Sequence, residues 1–281
     1  MTCSARTTFP PAPLSRLRLC FQTDAEGWIP LRPDWSRLFT ELKALDGLCL
    51  QVKHAYGRFA VKMPSSISFL EPPMGFGLRL YPARWAEAKG KLTKCPCCNS
   101  PGHIAFFNAF AQEVLQIAAA SETPPERWAE VLATVAAPYE ETSEKAPDER
   151  PPCTRFPLLP GGAVELPLRK WNLPEMLAEL ANIEMTFRVT FPTGEGILAH
   201  PFSAREIYLD GDQLVMRGPG AGLMVSLRAT RTLATGITSP AGPLSLYLVG
   251  PDESLLASIE PADPSIDGLA WQAALEKAGA T

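Results

Sequence analysis

The residues best suited to chemistry lie close together in one short segment. Cys95, Cys97, Cys98 and His103 fall within nine residues, and Lys94 precedes them. Three thiolates and an imidazole are donors that Zn²⁺ prefers, so one interpretation of this segment is a zinc site. Its Cys-x-Cys-Cys spacing differs from the Cys-x2-Cys of most structural zinc sites. Two alternatives therefore stay open, which are apolar packing of the cysteines and thiol redox chemistry.

Composition limits the classes of protein to which the chain can belong. Its 281 residues are 46% hydrophobic, which is enough for one large domain or two ordinary ones. A net charge of -4 argues against a general affinity for nucleic acid or anionic lipid. The sequence contains neither a membrane-spanning apolar run nor a secretory signal pattern, so we expect a cytoplasmic protein without membrane insertion. Seven cysteines, an odd count, do not suggest a disulfide framework.

Elements of both kinds are predicted along the chain. Apolar residues at helical spacing predict four helices, which lie at Trp35–Leu45, Trp128–Val135, Leu173–Ile183 and Trp271–Ala278. Capping boxes starting at Thr123 and Asn172 are expected to begin the second and third of these helices. Short alternating or β-branched runs between the helices predict antiparallel strands, so the fold class is α+β.

The chain divides into two similar halves. Seven prolines and many charges between Pro138 and Pro167 predict a linker. On either side the same residue types recur in the same order: Leu38 lies 138 positions before Met176, Trp128 lies 143 before Trp271, and Arg84 lies 147 before Arg231. We therefore expect a tandem duplication of a helix–sheet–helix unit. The predicted organisation is an N-terminal extension (1–34), a first unit (35–137), a proline-rich linker (138–170) and a second unit (171–281).

The first unit also resembles a known family. The segments Gly77–Leu92 and Ser100–Ile117, followed by a helix with Trp128, are similar to the repeat of haem-utilisation proteins of the HemS/ChuX type. Full-length HemS members contain two such units in tandem. The resemblance implies two antiparallel sheets with flanking helices, related by a pseudo-two-fold axis. It also implies cytoplasmic haem binding and transfer, and some members are described as haem-degrading.

The resemblance implies candidate residues and one departure. In HemS-type proteins an axial histidine lies in the helix that opens the second unit, but Asn172–Leu177 contains no histidine. Iron would need another ligand, and haem accepts His, Cys, Tyr or Met. The candidates are His54 and His200. Arg79 and Arg84 are the candidate partners of the haem propionates, because a guanidinium matches a carboxylate.

Three functions are compatible with these residues. The first is a haem-binding and haem-trafficking protein that takes haem or another small flat ligand. The alternative is a diverged scaffold without haem, or a metal-binding interaction protein, which contacts a partner through the segment Cys95–Cys98. The third is a haem-degrading enzyme. A homodimer or a protein partner is compatible with each of them.

Overall fold

The structure is a computed structural model that describes residues 21, 23–45, 47–64, 77–94, 99–137, 162–167, 169–237 and 244–279. Within these residues each predicted helix is present, and the four are α1 (Trp35–Lys43), α2 (Pro125–Val135), α3 (Leu173–Asn182) and α4 (Pro264–Gly279). Ile183 was expected on the apolar side of α3. It instead follows the last turn and is 61% exposed.

The helix starts differ from the expected capping boxes. The cap of α2 is Pro124 rather than Thr123, and no side chain makes a capping hydrogen bond there. Asn172 precedes α3 but already has helical backbone angles, since it ends a 3-10 turn that runs from Lys170. Its side chain makes no capping hydrogen bond, because this box requires an extended cap residue.

The strands account for the predicted β-type runs and add others, which range from two residues in β1 to eight in β3. In chain order they are β1 (Ile29–Pro30), β2 (Gly47–His54), β3 (Gly57–Pro64), β4 (Gly77–Leu80), β5 (Trp85–Lys91), β6 (His103–Asn108), β7 (Glu113–Ala119), β8 (Val164–Leu166), β9 (Phe187–Pro192), β10 (Gly196–Phe202), β11 (Glu206–Asp210), β12 (Gln213–Gly218), β13 (Ala221–Ser226), β14 (Thr232–Ile237), β15 (Leu244–Val249) and β16 (Leu255–Pro261). Two of them, β1 and β8, lie inside the segments expected to be an extension and a linker, where each pairs with a sheet edge.

The strands form two antiparallel sheets, as an α+β fold requires. The first sheet has the order β1-β5-β6-β7-β2-β3-β13-β12-β11, and the second has the order β4-β10-β9-β16-β15-β14-β8. Each sheet therefore contains strands from both halves of the chain. Strand β13 of the second half pairs with β3, and β4 of the first half pairs with β10.

One face of each sheet is covered by helices. On the first sheet, Phe106 lies 5.6 Å from the ring of Trp35 in α1. On the second sheet, Phe187 lies 6.4 Å from the ring of Trp271 in α4. Phe59 of β3 contacts Phe191 of β9, so both helix-covered faces share one apolar core.

We call the opposite face of each sheet its far face. Because side chains alternate along a strand, these faces carry the residues between the buried ones. The far face of the first sheet includes Lys89, Lys91, His103 and Phe107. The far face of the second sheet includes Arg79, Arg188, Thr190 and Glu260.

Candidate functional site

Two arginines lie on the far face of the second sheet. Arg188 of β9 is paired with Glu260 of β16, and Arg79 of β4 is paired with Ile197 of β10. Paired residues in an antiparallel sheet project to the same side, so both guanidinium groups belong to this surface. The surface therefore carries one arginine on each side of β10, opposite Ile197 and Pro201 of that strand.

Arg188 has an unusual environment. Its Nε is buried and makes no hydrogen bond with any residue that the structure describes. Beside it, the hydroxyl of Ser245 donates to the carboxylate of Glu260. A buried donor without an acceptor is costly, about 1–3 kcal/mol, and native proteins rarely leave one. The arrangement therefore favours an acceptor that arrives with a ligand.

Tyr247 lies in the neighbouring row of the same face. It pairs with Ser258, which in turn pairs with Thr190 of β9. Burial raises the pKa of the Tyr247 phenol, so the group is neutral at pH 7. Polar side chains of three strands, β9, β15 and β16, therefore share this face with Arg188.

Arg84 lies where the two halves of the chain meet. Its guanidinium donates to the backbone oxygen of Gly194, in the turn between β9 and β10, and is 5.2 Å from the ring of Tyr81. In the same region the amide of Asn108 lies 3.2 Å from Glu195 Oε1. Arg84 is exposed, and its guanidinium already donates to a backbone group of the other half of the chain.

His54 lies between the two sheets. The backbone N–H of Tyr56 donates to its Nδ1 at 3.0 Å, so the proton of the neutral ring is on Nε2, 3.2 Å from the backbone oxygen of Leu256. The ring stacks on Phe191 with centroids 4.3 Å apart. Burial lowers the pKa of His54 to about 4. Both ring nitrogens are engaged, so binding iron would require breaking a hydrogen bond.

His200 lies at the end of β10. It pairs with Val189, which places it on the helix-covered face of the second sheet rather than on the far face with Arg188. The side chain is half-buried, and burial lowers the pKa of His200. The structure therefore does not bring His54 and His200 together with Arg79 and Arg188 on one surface.

The predicted zinc ligands are only partly described. Cys95, Cys97 and Cys98 lie outside the described residues, and His103 opens β6. Among the described residues there is no cluster of three or more His, Cys, Asp or Glu side chains that could hold a metal ion. The zinc site stays a prediction, and the described part of the chain lends it no support.

Comparisons with known proteins agree with this architecture. No family model and no curated protein matches the chain. Among solved structures, apo-PhuS, a heme-binding protein from Pseudomonas aeruginosa, superimposes with a TM-score of 0.70 at 15% identity, over 89% of this chain and 86% of that one. ChuS, an E. coli heme oxygenase, gives 0.69 at 12% identity over 90% and 89%. The chain has the fold of these proteins.

The shared fold agrees with the HemS/ChuX-like pattern expected from the sequence. Holo-PhuS from the same organism gives a TM-score of 0.68 at 15% identity, over 89% of this chain and 86% of that one. At such low identity the likeness concerns the fold, and residue roles must be argued from this chain. In the described residues no helix is long and apolar enough to cross a membrane.

Sequence reasoning missed Arg188, Tyr247 and Glu260. Their alternation with buried neighbours, as in Phe187-Arg188-Val189, shows that Arg188 faces away from the core. It does not show that β9 lies between β10 and β16, because strand partners are distant in sequence. The grouping of these side chains required the sheet order.

Proposed function

We propose that this chain is a cytoplasmic haem-binding protein that traffics haem for iron utilisation. The observation that carries the proposal is the likeness of fold to PhuS and ChuS over about nine-tenths of the chain. A fold alone does not define a function, so the proposal also needs a surface that fits the ligand.

The proposed haem-binding surface is the far face of the second sheet. Haem carries two propionates, and Arg79 and Arg188 offer two guanidinium groups on that face. The buried, unpartnered Nε of Arg188 supports this assignment, because a propionate oxygen is the acceptor that it lacks. When bound, haem would supply the iron, and the chain's own part is to hold, orient and later release the ligand.

The axial ligand is a separate proposal. Neither histidine expected from the sequence lies on this surface, since His54 lies between the sheets with both nitrogens engaged and His200 is on the helix-covered face of β10. For haem on this surface we therefore propose no axial histidine, with Arg84 as a secondary propionate contact at the boundary of the halves. Replacing His200 by alanine should then leave the ligand-sensitive absorption bands of the complex unchanged.

We also propose that the two halves, 35–137 and 171–281, arose by tandem duplication. The strand orders support this idea, since β5-β6-β7-β2-β3 in the first sheet corresponds to β14-β15-β16-β9-β10 in the second. The last strand of each series, β3 or β10, pairs with a strand from the other half, β13 or β4. The pairs noticed in the sequence follow the same scheme, because Arg84 precedes β5 and Arg231 precedes β14.

The test is titration of the purified chain with haemin. Wild type should give a saturable Soret shift at micromolar concentration. Arg188→Gln should weaken binding roughly tenfold, since a hydrogen bond to a charged group contributes about 1.5–3 kcal/mol. Arg228→Gln, which removes an exposed arginine just after β13, is the matched control and should leave binding unchanged.

Three outcomes would redirect the proposal. An absorption spectrum that stays flat throughout the titration would overturn haem binding and favour the diverged scaffold. Loss of the bound haem after a reductant is added, with formation of a linear tetrapyrrole, would show degradation rather than simple transfer. An equal effect of Arg188→Gln and Arg228→Gln would remove the far face of the second sheet as the binding surface.

A further inference from the structure

A second group of ligand-binding side chains lies on the far face of the first sheet. The ring of Trp28 lies 5.2 Å from that of His103 and 6.5 Å from that of Phe107, both edge-on. Lys91 Nζ is 4.8 Å from the Trp28 ring centroid, and Lys89 Nζ is 5.9 Å from that of Phe107. Aromatic surface and ammonium groups are therefore combined around one imidazole. This combination suits a flat ligand with negative charges.

The imidazole of His103 is available for coordination. No residue that the structure describes makes a hydrogen bond to either of its ring nitrogens, and neither nitrogen is fully buried. This contrasts with His54, whose two nitrogens contact backbone groups of both sheets. Burial lowers the pKa of His103, so its ring is neutral at pH 7, the form that binds a metal.

The two lysines differ in their partners. Lys89 Nζ lies 3.3 Å from a carboxylate oxygen of Glu87 and 3.9 Å from one of Asp24. Lys91 forms no ion pair with any described residue, and its ammonium is held over Trp28 instead. The ammonium group of Lys91 could therefore form an ion pair with a carboxylate of a bound ligand. Across the strand pair, His103 faces Ala118, so no large side chain competes for the space there.

We propose that the far face of the first sheet binds a second haem. His103 supplies the iron ligand, Trp28 and Phe107 supply apolar contact, and Lys91, assisted by Lys89, pairs with a propionate. This inference rests on the proposed function for the ligand class, but it uses a different sheet and different residues. It provides the chain with an imidazole ligand, which the far face of the second sheet lacks among its described residues.

The experiment measures haem stoichiometry in four proteins: wild type, His103→Ala, Arg188→Gln and the double variant. The wild-type stoichiometry is measured with haemin well above both dissociation constants, and each variant is then compared at the haemin concentration that just saturates wild type, with bound haem per chain determined from the Soret band. Wild type should bind two equivalents. In competition with apomyoglobin, His103→Ala should bind haem at one of the two sites with an affinity reduced by about tenfold or more. Changes to the surroundings of metal sites have effects of about 10–100-fold.

A second probe separates coordination from simple stacking. Iron-free protoporphyrin IX has the same flat ring and propionates but no metal. His103→Ala should leave its binding nearly unchanged, while Lys91→Ala should weaken both porphyrins. Lys43→Ala, a lysine of α1 beyond the opposite face of the sheet, is the matched control and should weaken neither.

The outcomes distinguish this inference from the proposed function. If wild type binds one equivalent of haem and only Arg188→Gln loses it, the site on the first sheet is overturned and the site on the second sheet stands. If wild type binds one equivalent and only His103→Ala loses it, the site on the second sheet is overturned and the site on the first sheet is supported. Equal binding by all four proteins would overturn both assignments. Circular dichroism and thermal unfolding of each variant would show that a loss of binding is not a loss of fold.

Discussion

His54 joins the two sheets as a neutral side chain. It belongs to β2 of the first sheet, whereas its partners Leu256 and Phe191 belong to the second sheet. Protonation would place a charge in this apolar setting and remove the acceptor that Tyr56 N–H uses. The contact is therefore expected to be sensitive to acid.

Acid should destabilise the protein through His54. The pKa is about 4 in the folded chain and 6.5 in the unfolded chain, so the unfolded state binds the additional proton between these values. This contribution to stability is complete above pH 6.5 and is lost as the pH falls toward 4. The difference corresponds to ~3 kcal/mol, which urea unfolding at pH 7 and pH 4.5 would measure in large part.

His54→Phe is the variant that isolates this effect. Phenylalanine keeps a ring against Phe191 but cannot titrate, so the stability should depend less on pH than in wild type. At pH 7 the variant should be less stable by about 1–3 kcal/mol, because two backbone groups lose their partner. A pH dependence identical to that of wild type would show that other groups, such as His103 or His200, cause the acid effect.

The hairpin of β5 and β6 depends on a close approach by α2. Trp128 is fully buried, and its indole Nε1 lies 3.3 Å from the backbone oxygen of Lys91. At Gly102, a Cβ would lie 2.1 Å from that same oxygen and 2.3 Å from Trp128 Nε1. The helix can reach the strand only because residue 102 has no side chain.

Gly102→Ala should therefore destabilise the fold. Overpacking of this kind costs about 1–3 kcal/mol, and both obstructing groups are held by the core. Gly222→Ala is the matched control, since its Cβ would meet nothing nearer than 3.7 Å, and its effect should stay within about 1 kcal/mol. Chemical denaturation of the two variants would give the comparison. Equal stabilities would mean that α2 shifts without cost.

The four helices and part of the strands could be predicted from the sequence because they depend on local pattern. Trp128, Val131, Leu132 and Val135 recur at helical spacing, and all are buried in α2. The dipeptide Asp210-Gly211, between β11 and β12, is typical of a hairpin turn, and Gly211 has the positive φ of 64° that such a turn requires. The candidate site could not be predicted in this way. Arg188 shares a face with Glu260 and Ser245 only because the completed sheet places β16 beside β9 and β15 beside β16.

At the scale of the whole molecule, the halves exchange strands. The sequence indicated two units, but alternation within a strand does not identify its neighbour. In the structure, β4 lies at the edge of the second sheet, and β11, β12 and β13 extend the first. A half of the chain on its own would leave β3 and β10 as unpaired edges and would expose part of the shared core.

The two halves should therefore fold only together. Residues 1–150 and 151–281, expressed separately, are expected to aggregate or to unfold without cooperativity, because each lacks the strand that completes its sheet. Mixed during refolding, they should form a 1:1 complex with the circular dichroism of the intact chain, as measured after gel filtration. The control is the intact chain, folded first and then cleaved at the same position. It contains the same break in the backbone, but its two halves folded together. A monomeric half that unfolds cooperatively would contradict the expectation and would indicate that the exchanged strands are dispensable for each unit.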